Sequence, residues 1–413
     1  QNEYALMSTN KGITFINITN PITPIILGTL KTGTVNSDWR DVKVYNNHAF
    51  IVSEASNHGM QVFDLKRLRN VTNPPINFSA DTHFTGFGTA HNIVINEQSG
   101  YAYIVGASRS STYKGGPIFI NIQNPTSPVI EGGFSEGGYS HDAQVITYNG
   151  PDSDYSGKEI LIGSNENEVV IANVTDKKNP TIISTISYTN VKYAHQGWFT
   201  EDLKYFILGD ELDELRNGNN TKTVVFDFTD LDNPLYHFDY FGATAAIDHN
   251  GYIKDNIYYQ ASYTAGVRMI DISNIESKSI SEVGFFDTYP NNNNTAFSGA
   301  WNVYPYFPSG NIIVSDINSG FFVIRKSGTL SLQNQNLEKT FSLYPNPTSE
   351  KTTIKTLNNS AIKNIKVFSL VGQKVVEENN INKNQYDLNI GNLKKGIYFI
   401  KINDIQTTKL VVK

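Results

Sequence analysis

Ala90-His91-Asn92-Ile93, Ser140-His141-Asp142-Ala143, Ala194-His195-Gln196-Gly197 and Asp248-His249-Asn250-Gly251 are four variants of one phrase. Trp39-Arg40-Asp41-Val42 and Ala300-Trp301-Asn302-Val303 are two more. Set in a column, one position reads Arg40, His91, His141, His195, His249, Trp301, and the next is always Asp, Asn or Gln. Each phrase opens a β-rich unit, and each unit holds a second recurrent strand. Gly12-Ile-Thr-Phe-Ile-Asn17 and Gly59-Met-Gln-Val-Phe-Asp64 are two of its seven copies, whose ends lie 47, 57, 52, 54, 44 and 54 residues apart from Asn17 to Arg325. Periods of roughly 40–50 residues with several short strands each are those of propeller blades. The apolar spacing of three and four that helical repeats require is missing.

Four strands fit in each unit. In the unit opening at His91 they are His91–Asn96, Tyr101–Ala107, Pro117–Ile122 and Val129–Phe134, the last following Asn124-Pro125, a dipeptide biased to extended backbone. The expected fold is all-β, a seven-bladed β-propeller over residues 1–326, a polar linker over 327–339 and a small antiparallel β-sandwich over 340–413. Seven third strands but six first strands are present. The chain opens in mid-blade at Glu3-Tyr-Ala-Leu-Met-Ser8 and its last blade has no fourth strand. Upstream residues are therefore expected to complete the ring, because an open sheet edge is normally covered.

The chain has no cysteine, which removes disulfides, thiolate metal sites and Cys nucleophiles. No run of about 18 apolar residues suggests a transmembrane helix. Charge divides the chain: residues 333–413 carry 12 Lys, no Arg and 6 acids, leaving 21 basic and 33 acidic residues, a net of −12, in the body. An acidic body argues against nucleic acid as its ligand.

The C-terminal region resembles the type A sorting domain of the Bacteroidetes type IX secretion system. The resemblance rests on Phe341-Ser-Leu-Tyr-Pro-Asn-Pro347, Val367-Phe-Ser-Leu-Val-Gly-Gln-Lys-Val375, Leu393-Lys-Lys-Gly-Ile-Tyr-Phe399 and Lys409-Leu-Val-Val-Lys413. It implies handling of residues 340–413 by that secretion machinery, and a protein secreted or attached to the outer-membrane surface of a Gram-negative bacterium. The propeller resembles the choice-of-anchor B family with its LVIVD-type repeats, through His48-Ala-Phe-Ile-Val-Ser-Glu, Ala90-His-Asn-Ile-Val-Ile-Asn96, Ala194-His-Gln-Gly-Trp198 and Ala246-Ile-Asp-His-Asn250. That likeness implies fold and surface location but no activity.

If the repeat closes into a ring, His91, His141, His195 and His249 meet on one face as candidate metal ligands. Arg40, Asp41, Glu54, Glu166, Asp210, Glu211, Trp301 and Asp316 are the candidate ligand-binding residues around them. Converging imidazoles and carboxylates suit zinc, manganese or iron, whereas calcium favours oxygens alone. The same register serves equally well for hydrogen bonds that tie adjacent blades together, and the two roles are compatible. No G-x-S-x-G, H-E-x-x-H, phosphate loop or dinucleotide fingerprint is present. Binding of an unknown extracellular ligand with a divalent metal therefore ranks above a metal-dependent hydrolase or lyase, with metal-free adhesion or scaffolding as the third reading.

Overall fold

The computed structural model describes residues 2–326, 341–357, 360–369, 374–403 and 406–413. The expected linker, 327–339, lies outside the described residues. Two compact units divide the chain, Gln1–Lys326 and Ser327–Lys413.

In the first unit, Val, Ile, Phe and Tyr alternate with polar residues over runs of four to eight residues bounded by Asn, Asp and Gly turns. Those runs become the strands of seven sheets. Sheets 3 to 6 are antiparallel meanders of four strands each. Sheet 3 holds Asn92–Asn96, Tyr101–Val105, Ile118–Asn121 and Val129–Gly133; sheet 4 runs from Asp142–Thr147 to Thr181–Ile186. Sheet 5 runs from Ala194–Phe199 to Leu235–Phe241, and sheet 6 from Gly251–Lys254 to Ser279–Phe286. Sheet 7 has three strands among the described residues, Ala300–Tyr304, Asn311–Asp316 and Gly320–Arg325.

Sheets 1 and 2 depart from the simple meander. Between the third strand of sheet 2, Met60–Asp64, and its fourth, Thr82–Phe84, the chain makes a 3-10 turn at Leu65–Asn70 and a short strand at Ile76–Phe78. That short strand leaves its own sheet and pairs parallel with Ile25–Lys31, covering the outer edge of sheet 1. Three residues of irregular composition carry no strand signal of their own, so the sequence conceals this step.

Because side chains alternate across a strand, each sheet has two apolar faces to bury. Phe50 and Val52 pack toward sheet 3, while Ala49 and Ile51 between them pack toward sheet 1. The same division recurs round the unit, with a buried cluster between every successive pair of sheets. Sheet 7 then meets sheet 1: Ile313, Phe321 and Val323 lie against Ala5, Ile16 and Ile18. The Glu3 carboxylate accepts from Ser309 N at 3.0 Å, Ser309 Oγ at 2.7 Å and Asn311 Nδ2 at 3.0 Å. The sheets thus form a closed, propeller-like ring.

Packing between sheets carries most of the stability. Phe226 is fully buried between sheets 4 and 5, its ring 5.8 Å from Phe228 and 6.0 Å from Tyr188. Phe226→Ala is expected to cost about 3–5 kcal/mol, read as a lower midpoint in urea at an unchanged slope.

The second unit is a two-layer β domain. Phe341–Tyr344, Lys351–Thr356 and Gln385–Asn389 form one sheet; Lys374–Glu378, Ile365–Ser369, Gly396–Ile402 and Gln406–Val412 form the other. Ile354, Leu388, Val367, Ile400 and Leu410 fill the space between. Phe341–Tyr344 pairs antiparallel with Lys351–Thr356 and forms the edge of its sheet.

Candidate functional site

The column residues stand where a first strand begins, and a backbone hydrogen bond from the preceding sheet fixes four of the six. After its second strand every sheet sends a loop toward its neighbour. Ala90 N donates to Ser53 O at 3.0 Å, Gly106 N to Ser140 O at 2.6 Å, Ala194 N to Glu166 O at 2.7 Å and Ala300 N to Tyr263 O at 2.9 Å. In each case the clamped residue directly precedes a column residue. At Gly106 the backbone has φ +62°, and a Cβ would lie 2.2 Å from the Cβ of His91, so only glycine fits.

The four imidazoles come together as an arc of mutually tilted rings. Centroids lie 4.1 Å apart for His91 and His141, 4.5 Å for His141 and His195, and 4.4 Å for His195 and His249. Trp301 extends the arc, 4.5 Å from His249. Successive planes turn by 43°, 44°, 43° and 48°. Such even rotation is what a repeated unit produces around a shared axis.

The ring nitrogens are used unequally. His249 Nδ1 lies 2.6 Å from Trp301 O, and His141 Nδ1 lies 3.3 Å from His195 O. A backbone carbonyl only accepts, so Nδ1 carries the proton in both rings and Nε2 is left with its lone pair. His195 Nδ1 is buried without a partner. Burial, reinforced by neighbouring imidazoles, pushes His141 well below the usual histidine range and holds His195 and His249 at about 3. These three rings are neutral at physiological pH.

Glu211 faces two of them. Its Oε2 lies 3.8 Å from His195 Nε2 and its Oε1 3.7 Å from His249 Nε2. With neutral imidazoles these are not ion pairs. Tyr263 OH donates to Glu211 Oε1 at 2.7 Å and orients the carboxylate. His195, Glu211 and His249 each place one donor atom within 4.8 Å of the others.

His91 differs. Burial opposes its protonation, but the Glu54 carboxylate, 2.6 Å from Nδ1, outweighs that and holds His91 above its usual range.

Other sequence candidates are engaged elsewhere. Arg40 leaves the arc: Nη1 lies 2.9 Å from His58 Nε2, Nη2 donates to Thr32 Oγ1 at 2.8 Å and Nε to Thr9 O at 3.2 Å. Asp41 pairs with Lys43 at 2.6 Å and accepts from Ile93 N at 3.2 Å, joining sheet 2 to sheet 3. Glu166 forms a fork with Arg109 Nη2, 2.8 Å from each oxygen. Asp210 accepts from Tyr188 OH at 2.7 Å and from the backbone N–H groups of Lys192, Tyr193 and Leu212 at 2.7, 2.8 and 3.3 Å. Asp316 Oδ1 accepts from Asn318 N at 2.8 Å and Ser319 N at 2.6 Å, closing a turn. Tyr193, edge-on to His141 at 5.1 Å, was not singled out from sequence. Its signal was there, since Tyr139 and Tyr193 both stand two residues before a column histidine.

The Arg40–His58 contact has a pH consequence. Burial and the Arg40 charge lower His58 to about 4. The unfolded chain takes up this proton near pH 6.5 and the folded chain only near 4, so stability falls as pH drops through that window. The loss for this residue is about 3 kcal/mol by pH 4. A His58→Gln variant is expected to show a shallower loss of urea midpoint between pH 6.5 and 4 than the parent.

Residues 342–413 match the secretion system C-terminal sorting domain family. In sequence, no curated protein matches the chain. A crystallised protein from Lactobacillus plantarum is similar at TM-score 0.54 and 12% identity, covering 94% of this chain and 100% of its own. Hydrazine synthase of Kuenenia stuttgartiensis gives 0.53 at 12% identity, over 78% and 92%. A functionally unknown protein from Desulfotomaculum acetoxidans gives 0.53 at 10% identity, over 93% and 98%. At these identities the likeness concerns fold, and it is to propeller-like structures. The sorting domain marks the chain for export, to a secreted or surface location. No described helix is long and apolar enough to cross a membrane.

Proposed function

We propose that this is an exported seven-bladed propeller of the outer-membrane surface or its surroundings, holding one divalent metal ion on its central face between His195, His249 and Glu211. An extracellular ligand completes the coordination. The plane-to-plane turns of 43–48° along the arc are near the roughly 51° that separates blades in a seven-fold ring, which supports the blade count.

One observation carries the metal reading. The Trp301 carbonyl holds the proton of His249 on Nδ1, so the Nε2 lone pair faces the Glu211 carboxylate at 3.7 Å. Two acceptors facing each other in a partly buried setting repel unless a cation or a proton donor such as water lies between them, and the third donor atom, on His195, favours the cation. Ligands at about 2.0–2.1 Å from a tetrahedral zinc stand about 3.4 Å apart, so the two Glu211–histidine distances of 3.8 and 3.7 Å need close by only a few tenths of an ångström. Two imidazoles and one carboxylate suit zinc, iron or manganese better than calcium. Tyr263 plays the outer-sphere part, orienting Glu211. Neutral imidazoles at physiological pH supply free donors without first releasing protons.

Elemental analysis of the protein purified without chelator tests this reading. About one equivalent of zinc or a similar metal per chain is expected, lost with a chelator and regained on reconstitution. Absence of stoichiometric metal both before and after reconstitution contradicts it. A second reading, in which the arc only fastens blades, draws support from the Nδ1–carbonyl bonds of His141 and His249. It is separated from the first by His141→Ala, which removes such a bond while sparing the three metal donors. The metal reading expects a less stable protein with undiminished metal content.

A further inference from the structure

At the far end of the first strand of sheet 3, away from the imidazoles, Asn96, Glu159 and Lys177 meet in the interface between sheets 3 and 4. Asn96 ends that strand, Glu159 begins the second strand of sheet 4, and Lys177 lies between the third and fourth strands of sheet 4. All three are nearly sealed from solvent, at 5%, 6% and 8% exposure. One carboxylate joins them: Asn96 Nδ2 donates to Glu159 Oε1 at 2.8 Å, and Lys177 Nζ to Glu159 Oε2 at 2.6 Å. The Tyr101 and Tyr103 rings flank the ammonium at 4.4 and 5.8 Å, and the Tyr103 hydroxyl is buried without a hydrogen-bond partner.

We propose that Asn96, Glu159 and Lys177 are a self-modifying site that joins Lys177 Nζ to Asn96 Cγ as an intramolecular amide. Glu159 takes a proton from the Lys177 ammonium through the 2.6 Å contact, which leaves the nitrogen lone pair on the side where Glu159 and Asn96 lie. The amine adds to the Asn96 carboxamide carbon once Nζ leaves Val174 O, its other close partner at 2.8 Å. Glu159 then returns that proton to Nδ2 and takes a second one from the added nitrogen, the C–Nδ2 bond breaks, and the ammonia released takes up this last proton and departs as ammonium, leaving Glu159 ionised as at the start. One C–N bond forms and one breaks, with no oxidant or co-reactant. Gln98 N, donating to Asn96 Oδ1 at 3.1 Å, polarises the carbonyl as the tetrahedral oxygen gains charge. A low-dielectric site favours the neutral amine and acid over the ion pair, and so lowers the cost of the first step. The product would be a covalent staple between neighbouring sheets, in an exported chain whose lack of cysteine rules out a disulfide there.

Peptide mapping by mass spectrometry of the purified full chain decides the matter. The expected result is one branched peptide containing residues 96 and 177, about 17 Da lighter than its two parts together, with no tryptic cleavage after Lys177. Glu159→Gln and Lys177→Met are expected to return the linear peptides. Recovery of unlinked Asn96 and Lys177 peptides from the parent protein overturns the proposal, leaving an ordinary buried ion pair. A link that persists in Glu159→Gln overturns the role given to Glu159.

Discussion

Replacing His249 by alanine is expected to abolish stoichiometric metal binding, with apparent affinity reduced at least about 100-fold in a competition titration with a coloured chelator. The substitution deletes one of the three donors and also cuts the 2.6 Å tie from Nδ1 to Trp301 O. Some loss of stability therefore accompanies it, and His195→Ala separates the effects. His195 Nδ1 has no hydrogen-bond partner to lose, so this variant should lose the metal with less damage to the ring of sheets. Tyr263→Phe keeps all three donors and frees Glu211 Oε1, and is expected to weaken binding about 10-fold. Equal metal content in the parent, His195→Ala and His249→Ala would remove the site from these residues.

The largest stability effect is expected at Asp210. Its carboxylate is completely buried and accepts from one phenol and three backbone N–H groups. Alanine leaves all four donors without an acceptor in a closed space. Hydrogen bonds to a charged group contribute about 1.5–3 kcal/mol each, and an orphaned buried donor costs about 1–3 kcal/mol, so Asp210→Ala should lose about 4 kcal/mol or more. Asparagine keeps the oxygen Oδ1, which serves Tyr193 and Leu212, and is expected to lose roughly half as much. Urea denaturation at pH 7 measures both. If Asp210→Ala unfolds at the parent midpoint, the loop it clamps is not held as described, and the placement of Glu211 beside it loses its basis.

That pair shows how much of the site the sequence disclosed. Asp210 and Glu211 are neighbours in one acidic loop, and composition alone treats them alike. Adjacent residues at a strand end point to opposite sides, so one carboxylate became a loop clamp and the other turned to the imidazoles. The column itself was legible because repetition places residues of equal phase at equal positions around a ring. His91, His141, His195, His249 and Trp301 follow that rule. Arg40 has the right phase, but its long side chain finds Thr9 O, Thr32 Oγ1 and His58 within reach of sheets 1 and 2, and leaves the arc. Hydrogen bonds from imidazole to the next sheet's backbone carry no sequence signal, since any residue supplies a carbonyl. The parallel pairing of Ile76–Phe78 with sheet 1 was likewise hidden, because its register depends on a neighbour about fifty residues earlier.

Anomalous diffraction at the zinc edge, on crystals of the reconstituted full chain, tests the central claim most directly. The account predicts one strong peak per chain within about 2.0–2.2 Å of His195 Nε2, His249 Nε2 and a Glu211 oxygen. A peak elsewhere, or none at that position in protein shown to carry metal, would contradict it.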